Sequence, residues 1–479
     1  LPILLNSICK FVVLKSMIFC TVFIIAVILE GVFFMASVTM EQCVEEEKDE
    51  PLVLLPRGKR MFFVAILYLC FTFDLAIRYG VNAILPLLQN DLGISGTQIG
   101  LLSSAVFLGM AIFVMPFSFF GAQYGQKKAI SLCSILWSGV TVLCGFAQGA
   151  VSLALLRLGV GAGNSAYAAV STDMLTSWYK KSSWGKVLGL YNTAMTIGAV
   201  VGMILFAAIA ETMGWRMSFY IIGGISLVIS LLTFLIPDNR KVLAEQKAKE
   251  AAANGGKSNG VEQKKLSAGE TFKFLLTNKA LLLMCLGAGI AVMTLNIGST
   301  FMSIYYVNMM GISATAAAGL IALSTPIGLV AYPLGGAILD KWYQKDRRAR
   351  MWMPMVCIVL AAVIFFFGYK MVSVPMILIA GGFYNLGNTS FHTAAHELVP
   401  VWYKSVSYGI YVLFIQLLGA VGPTLGGIMV DKMGVQAALV NSSFLFAASA
   451  VLLFLAGGIY IKYYNRAREE ELSTGVCPE

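Results

Sequence analysis

Two stretches far apart in the chain read almost alike: GNSAYAAVSTDMLTSWYK from Gly163 to Lys180 and GNTSFHTAAHELVPVWYK from Gly387 to Lys404. They align without a gap, with Gly, Asn, Trp, Tyr and Lys coinciding, Tyr167 opposite Phe391 and Asp173 opposite Glu397. The next apolar stretch of each copy agrees as well: GAVVG from Gly198 stands beside GAVGP from Gly419, and ETMG from Glu211 beside DKMG from Asp431. A repeat on this scale means that one supersecondary unit has been built twice.

The units are hydrophobic. Of the 479 residues, 58% are hydrophobic and 12% are charged, too little polar surface for a soluble domain of this size. Stretches of the roughly 20 apolar residues that cross a bilayer run from about Met61 to Pro86, Thr97 to Phe120, Ala129 to Phe146, Val151 to Ser177, Val187 to Ala210 and Ser218 to Ile236. They resume from Ala280 to Tyr306, Ala314 to Ile338, Met351 to Gly368, Val374 to Pro400, Ser407 to Val430 and Ala437 to Ile461. The expected fold is therefore an all-α membrane protein with twelve transmembrane helices in two pseudo-symmetric six-helix bundles. The repeated stretches fall on the fourth and tenth helices.

Cytoplasmic loops are enriched in Lys and Arg, which accounts for the net charge of +10 without nucleic acid. Alternate loops hold Lys127 and Lys128; Lys180, Lys181 and Lys186; nine such residues between Ile236 and Ala280; Lys341, Lys345, Arg347, Arg348 and Arg350; and Lys404. The opposite loops hold only Arg216, Lys370 and Lys432. Both termini are thus expected in the cytoplasm, in a cell membrane. The sequence divides into an N-terminal segment (1–60), a first bundle (61–236), a polar basic linker (237–278) that serves as a tether, a second bundle (279–462) and a tail (463–479). Ser16 to Met35 is a further apolar segment broken by Glu30, and the reading favoured here is a start drawn too early, with Met35 or Met40 as the true one. Nine cysteines lie scattered with no CxxC spacing, so no metal or redox centre is expected, and no cofactor.

These features resemble the major facilitator superfamily from Met61 to about Arg468. The superfamily's loop signature after the second helix has its counterpart after the eighth in Gly336, Asp340 and Lys341, with Arg347 and Arg348 following. After the second helix it is degraded to Ser118, Ala122, Gln123, Tyr124, Gly125 and Gln126, with Ala122 where the family has Asp. Arg157, Gly161 and Gly163 correspond to the fourth-helix signature, and Gly198 and Gly202 to the close-packing glycines of the fifth. The resemblance implies a monomeric transporter in the lipid bilayer, with a small solute held near the midplane and reached alternately from each side. Asp340 and Lys341 would latch cytoplasmic helix ends, or the basic run would serve topology alone.

Ionisable residues within a span cost about 2.5–3.5 kcal/mol each, so each calls for a reason. Asp74 and Arg78 of the first span are four apart, hence on one face and able to pair. Either the pair is a structural salt bridge, or Arg78 offers its planar guanidinium to a carboxylate or phosphate of the solute. The stretch resembles the anion:cation symporter branch, whose first helix carries an Asp-Arg pair before a Pro: Arg78 and Pro86 fit, and Ile77 takes the Asp position. Asn164 stands where that branch, and the spinster-type lipid transporters, usually carry a proton-bearing Glu. Organophosphate antiporters also resemble the chain, but the seventh span lacks their second Arg.

Arg157 is a coupling residue by resemblance or a structural one. His392 and His396 are one turn apart on the tenth helix and could relay a proton, or merely bond between helices. Other candidates for the cavity are Asn82, Tyr167, Tyr191, Asn296, Tyr305, Asn388 and Gln416. The function expected is secondary active transport of a small organic anion, by proton coupling or exchange. A lipid-like or neutral amphiphilic solute is the alternative, and a transporter-like sensor a more distant one. No nucleophile-base constellation or nucleotide-binding loop points to an enzyme.

Overall fold

The computed structural model describes residues 53, 55–180, 183–239, 277–400 and 404–473; the linker and the first fifty-odd residues lie outside these. Among the described residues the regular structure is entirely helical. The first half contains α1 (Arg57–Leu92), α2 (Gly96–Tyr124), α3 (Gln126–Cys144), α4 (Ala150–Asn164), α5 (Tyr167–Trp178), α6 (Trp184–Met213) and α7 (Trp215–Leu232). The second contains α8 (Lys279–Met310), α9 (Ala314–Ala322), α10 (Ser324–Tyr343), α11 (Ala349–Lys370), α12 (Val374–Glu397), α13 (Lys404–Met433) and α14 (Val435–Ser473).

Among the described residues, ten helical segments are long and apolar enough to cross a membrane. The fourth and tenth spans are the two outside that set. The fourth breaks at Ser165 and Ala166 into α4 and α5, each too short to cross alone. The tenth, α12, is unbroken but carries Asn385, Asn388, Thr389 and both histidines, which interrupt its apolar run. The eighth span changes helical segment at Leu323 yet reads as one crossing, Ala314–Tyr343.

Glycines explain why the repeated words are repeated. A Cβ on Gly163 would come within 3.0 Å of Trp137 N and Cys133 O, and one on Gly387 within 3.0 Å of Cys357 Cβ. Thus α4 lies on α3, and α12 on α11, with backbone nearly touching side chain or backbone. Gly198 and Gly202 press α6 onto Thr72 and Ala76 of α1, while Gly422 presses α13 onto Met293 of α8. In lipid, where apolar surface gains little by leaving the solvent, such close approach is what binds helices together.

The residues group into two compact units. The first comprises most of the first half together with Met310–Ala322, so α9 packs on α6 and α1. Ala314 and Ala318 sit there against Ala83, Met203 and Ala207. The second unit comprises the rest of the second half together with Ile94–Ala111 of α2. There Gly96 and Gly100 approach Gly427 and Pro423 of α13 at backbone distance. The last helix does not stop at Ile461, where the apolar run ends, but continues to Ser473.

Candidate functional site

Within the first unit, α1 carries Asp74 and Arg78 on one face. Arg78 Nη2 lies 3.7 Å from Asp74 Oδ2, with side-chain exposures of 17% and 3%. Asp74 Oδ1 and Arg78 Nε have no partner. Arg157, two turns into α4, is buried and close enough to Arg78 for their charges to interact. Its Nε and Nη1 are also without a partner. Asn164, at the broken end of α4, is buried with both amide atoms unbonded. Buried polar groups normally find partners, so the six unsatisfied atoms on these four residues of the first and fourth spans call for an explanation.

The neighbours are settled by contrast. Tyr167 donates to Leu67 O at 3.0 Å and meets Trp137 edge-on. Tyr191 shares a hydrogen bond of 2.7 Å with Ser171 and stacks on Phe71, ring centroids 5.0 Å apart. The Tyr167 hydroxyl thus ties α5 to α1 and the Tyr191 hydroxyl ties α6 to α5, so both are already employed in packing. Asn82, one turn beyond Arg78 on α1, is half-buried.

In the second unit the candidates fare differently. Asn296 donates to Gly419 O at 3.1 Å, and Tyr305 to Tyr369 O at 2.7 Å, so each spends a donor on helix packing. Asn388 on α12 and Gln416 on α13 are half-buried. Asp340 and Lys341 are exposed at the end of α10. The side chain of His392 lies outside the described residues, while His396 is half-buried near the end of α12.

A network that the sequence reading did not pick out occupies that end. Arg350 reaches Glu397 Oε1 from Nη2 at 3.1 Å and from Nε at 3.2 Å, and Tyr460 donates to Glu397 Oε2 at 2.5 Å. Arg350 also lies over the ring of Tyr343, 4.3 Å from its centroid. In the first unit the repeat-related Asp173 accepts from Gln126. The signal was present in the alignment of Glu397 with Asp173; what could not be read was which basic residue of the 341–350 run meets it.

A helical, many-times membrane-crossing chain with two repeated halves and an ion pair buried in its first span belongs among membrane transporters. The chain is a member of the Major Facilitator Superfamily, whose family model matches residues 64–423. It is 23% identical over 404 residues to the hexuronate transporter of Bacillus subtilis (strain 168), covering 82% of this chain and 94% of that one. To the probable galactarate/D-glucarate transporter of the same organism it is 26% identical over 309 residues, 61% of this chain and 68% of that one. Its fold is similar to that of a bacterial homolog to the human lysosomal transporter Spinster in an inward-facing, unoccupied conformation. The TM-score is 0.73 and the identity 19%, covering 85% of this chain and 99% of that one.

Proposed function

We propose that this transporter carries a small organic anion by alternating access, and that Arg78 is the group that recognises it. The observation carrying this reading is the charge of the buried cluster: two guanidinium groups, Arg78 and Arg157, stand against one carboxylate, Asp74. Burying a charge is tolerable only when it is paired. Asp74 offsets one of the two, and a carboxylate or phosphate of the solute would offset the other. Unpartnered atoms on Arg78, Arg157 and Asn164 supply the donors that an oxygen-rich solute needs.

The relatives, a hexuronate transporter and a probable galactarate/D-glucarate transporter, support the same class of cargo, a polyhydroxylated acid. Coupling is to protons or to a counter-substrate. Asn164 cannot itself carry a proton, so Asp74 is the ionisable carboxyl of this cluster left for that task. We place both ends of the chain in the cytoplasm and a tethering linker at 237–278 on that side, on the distribution of Lys and Arg.

The test is uptake into proteoliposomes across a panel of sugar acids, dicarboxylates and sugar phosphates, with and without an imposed pH gradient. Acceleration by an inward proton gradient marks symport, and dependence on internal substrate alone marks exchange. Uptake of neutral amphiphiles but of no anion in the panel would refute the proposal in favour of the lipid-like alternative.

A further inference from the structure

The basic residues at one end of the second unit are used in two different ways. Arg350 is paired with Glu397, and Arg466 of α14 with Glu470 at 3.4 Å. Arg347 and Arg348, in the turn that leads into α11, make no ion pair among the described residues. Each lies over an aromatic ring instead, Arg347 at 4.6 Å from the centroid of Tyr464 and Arg348 at 5.6 Å from that of Trp352. Arg468 of α14 reaches the Tyr464 ring as well, at 5.3 Å. The neighbouring acid, Asp346, accepts from the backbone N–H of Arg348 at 2.8 Å, not from its guanidinium.

The rings are held in place. Tyr464 is buried and stacks on Tyr460, which donates to Glu397. Trp352 lies against Gly457, where a Cβ would come within 2.4 Å of the indole Nε1, so α11 and α14 touch there. A guanidinium is attracted to a ring through its flat face, which leaves the N–H groups along its edge to grip the oxygens of a phosphate. Position says where that phosphate comes from. The apolar run of α14 ends at Ile461, so at about 1.5 Å per residue Tyr464 stands about 4.5 Å beyond the hydrocarbon and Arg468 about 10 Å beyond it. The headgroup layer is about 5–8 Å deep on each side of a bilayer. Arg347 and Arg348 likewise come just before the apolar run of α11, which begins at Met351. Exposed apolar side chains continue along both helices from there, Val356, Val359 and Val363 on α11 and Val451, Phe454 and Leu455 on α14.

We propose that the seam between α11 and α14 binds an anionic phospholipid, its phosphate gripped by Arg347 and Arg348 with Arg468 alongside, and its acyl chains lying on the apolar surface of the two helices. The site depends on the chain's place in a membrane and not on the identity of its cargo. A zwitterionic lipid offers the same phosphate but brings a cation of its own to a place already rich in them, so the lipid with net negative charge is preferred.

The experiment places the full-length protein in phosphatidylcholine nanodiscs and titrates in phosphatidylglycerol or phosphatidylcholine brominated near the top of the acyl chain. Bromine quenches indole fluorescence on contact, and subtracting the signal of Trp352→Phe isolates Trp352 from the other tryptophans. Brominated phosphatidylglycerol should quench Trp352 at a lower mole fraction than brominated phosphatidylcholine does. One basic residue near a membrane surface strengthens binding of an acidic lipid roughly fivefold. The titration midpoint should therefore rise about fivefold in Arg347→Gln or Arg348→Gln and about twenty-fivefold in the double variant. Arg347→Lys/Arg348→Lys serves if the glutamine variants do not fold, and should raise it a few-fold because an ammonium cannot grip two oxygens at once. An unchanged midpoint in these variants, or equal quenching by the two lipids, overturns the proposal. So does an equal shift from Arg57→Gln/Lys59→Gln, which removes as much charge ahead of the first span, since the attraction would then be diffuse. Release of the lipid by inorganic phosphate but not by chloride at equal ionic strength would mark a site for the free anion and overturn the lipid assignment.

Discussion

Replacing Arg78 by Ala alone confuses two effects, and the geometry says how to separate them. Asp74 is almost fully buried and lies 3.7 Å from the guanidinium. At an effective dielectric constant of about 20 a pair at that distance is held by about 4 kcal/mol. Removing one member of a buried pair typically costs about 3–5 kcal/mol, because the other charge is left behind. Arg78→Ala should therefore lower the thermal unfolding midpoint of the detergent-solubilised protein markedly. Asp74→Asn/Arg78→Gln, which removes both charges and keeps polar side chains of similar size, should recover most of that loss. Transport should not recover with it. A charge-assisted hydrogen bond to a solute contributes about 1.5–3 kcal/mol, so the double variant should bind an anionic substrate about ten- to a hundredfold more weakly. Substrate-induced stabilisation and proteoliposome uptake read this directly. A stable double variant with unchanged apparent affinity would show that Arg78 serves structure alone. An Arg78→Ala protein as heat-stable as the parent would refute the energetic argument at its root.

Two further outcomes follow from packing. Gly202→Ala and Gly422→Ala place a methyl against backbone of α1 and α8 respectively, where nothing can yield without moving a helix. Each should destabilise by about 1–3 kcal/mol in a thermal melt, whereas Gly139→Ala and Gly224→Ala, which meet open space, should be neutral or mildly stabilising. Glu397→Gln leaves Arg350 facing an amide and Tyr460 with a weaker acceptor. It should lower the melting midpoint more than Asp173→Asn does, because Asp173 is held by the neutral Gln126; equal effects would show that the ion pair adds nothing.

The twofold plan was legible because three kinds of signal coincided: apolar runs of bilayer length, a Lys and Arg bias alternating between loops, and repeated words at equivalent places. Glycines in those words were readable as close contacts, and the distances in the structure agree. The break of the fourth span at Ser165 and Ala166 was not readable, since the aligned stretch after Gly387 forms an uninterrupted helix. Related stretches thus end in different backbones, and the residues they share do not mark where the break falls. The candidate residues divided along a similar line. Asp74, Arg78, Arg157 and Asn164 stand out because charge and amide groups are conspicuous in apolar runs, and in the structure each keeps a polar atom without a partner. Asn296 and Tyr305 looked like cavity lining, yet their donors go to carbonyls of neighbouring helices. Pattern reports that a polar group is inside the membrane; only the fold reports whether its bonds are already spent. That Asp431 accepts from Thr97, and Glu211 from Thr315, escaped notice because a Thr at a helix start implies a local cap, and nothing local reveals a carboxylate arriving from another span.

At about 1.5 Å per residue, the 39 residues of α14 measure roughly 58 Å, about twice the thickness of the bilayer's hydrocarbon. The surplus is not idle. Tyr463 donates to Thr277 O, and Arg347 lies over the ring of Tyr464. A deletion made where hydropathy falls away, just past Ile461, would cut these ties to the segments that lead into α8 and α11. Shortening the chain safely means cutting after Ser473, and an affinity handle or fluorescent partner fused there would ride on a stiff spar standing clear of the lipid headgroups.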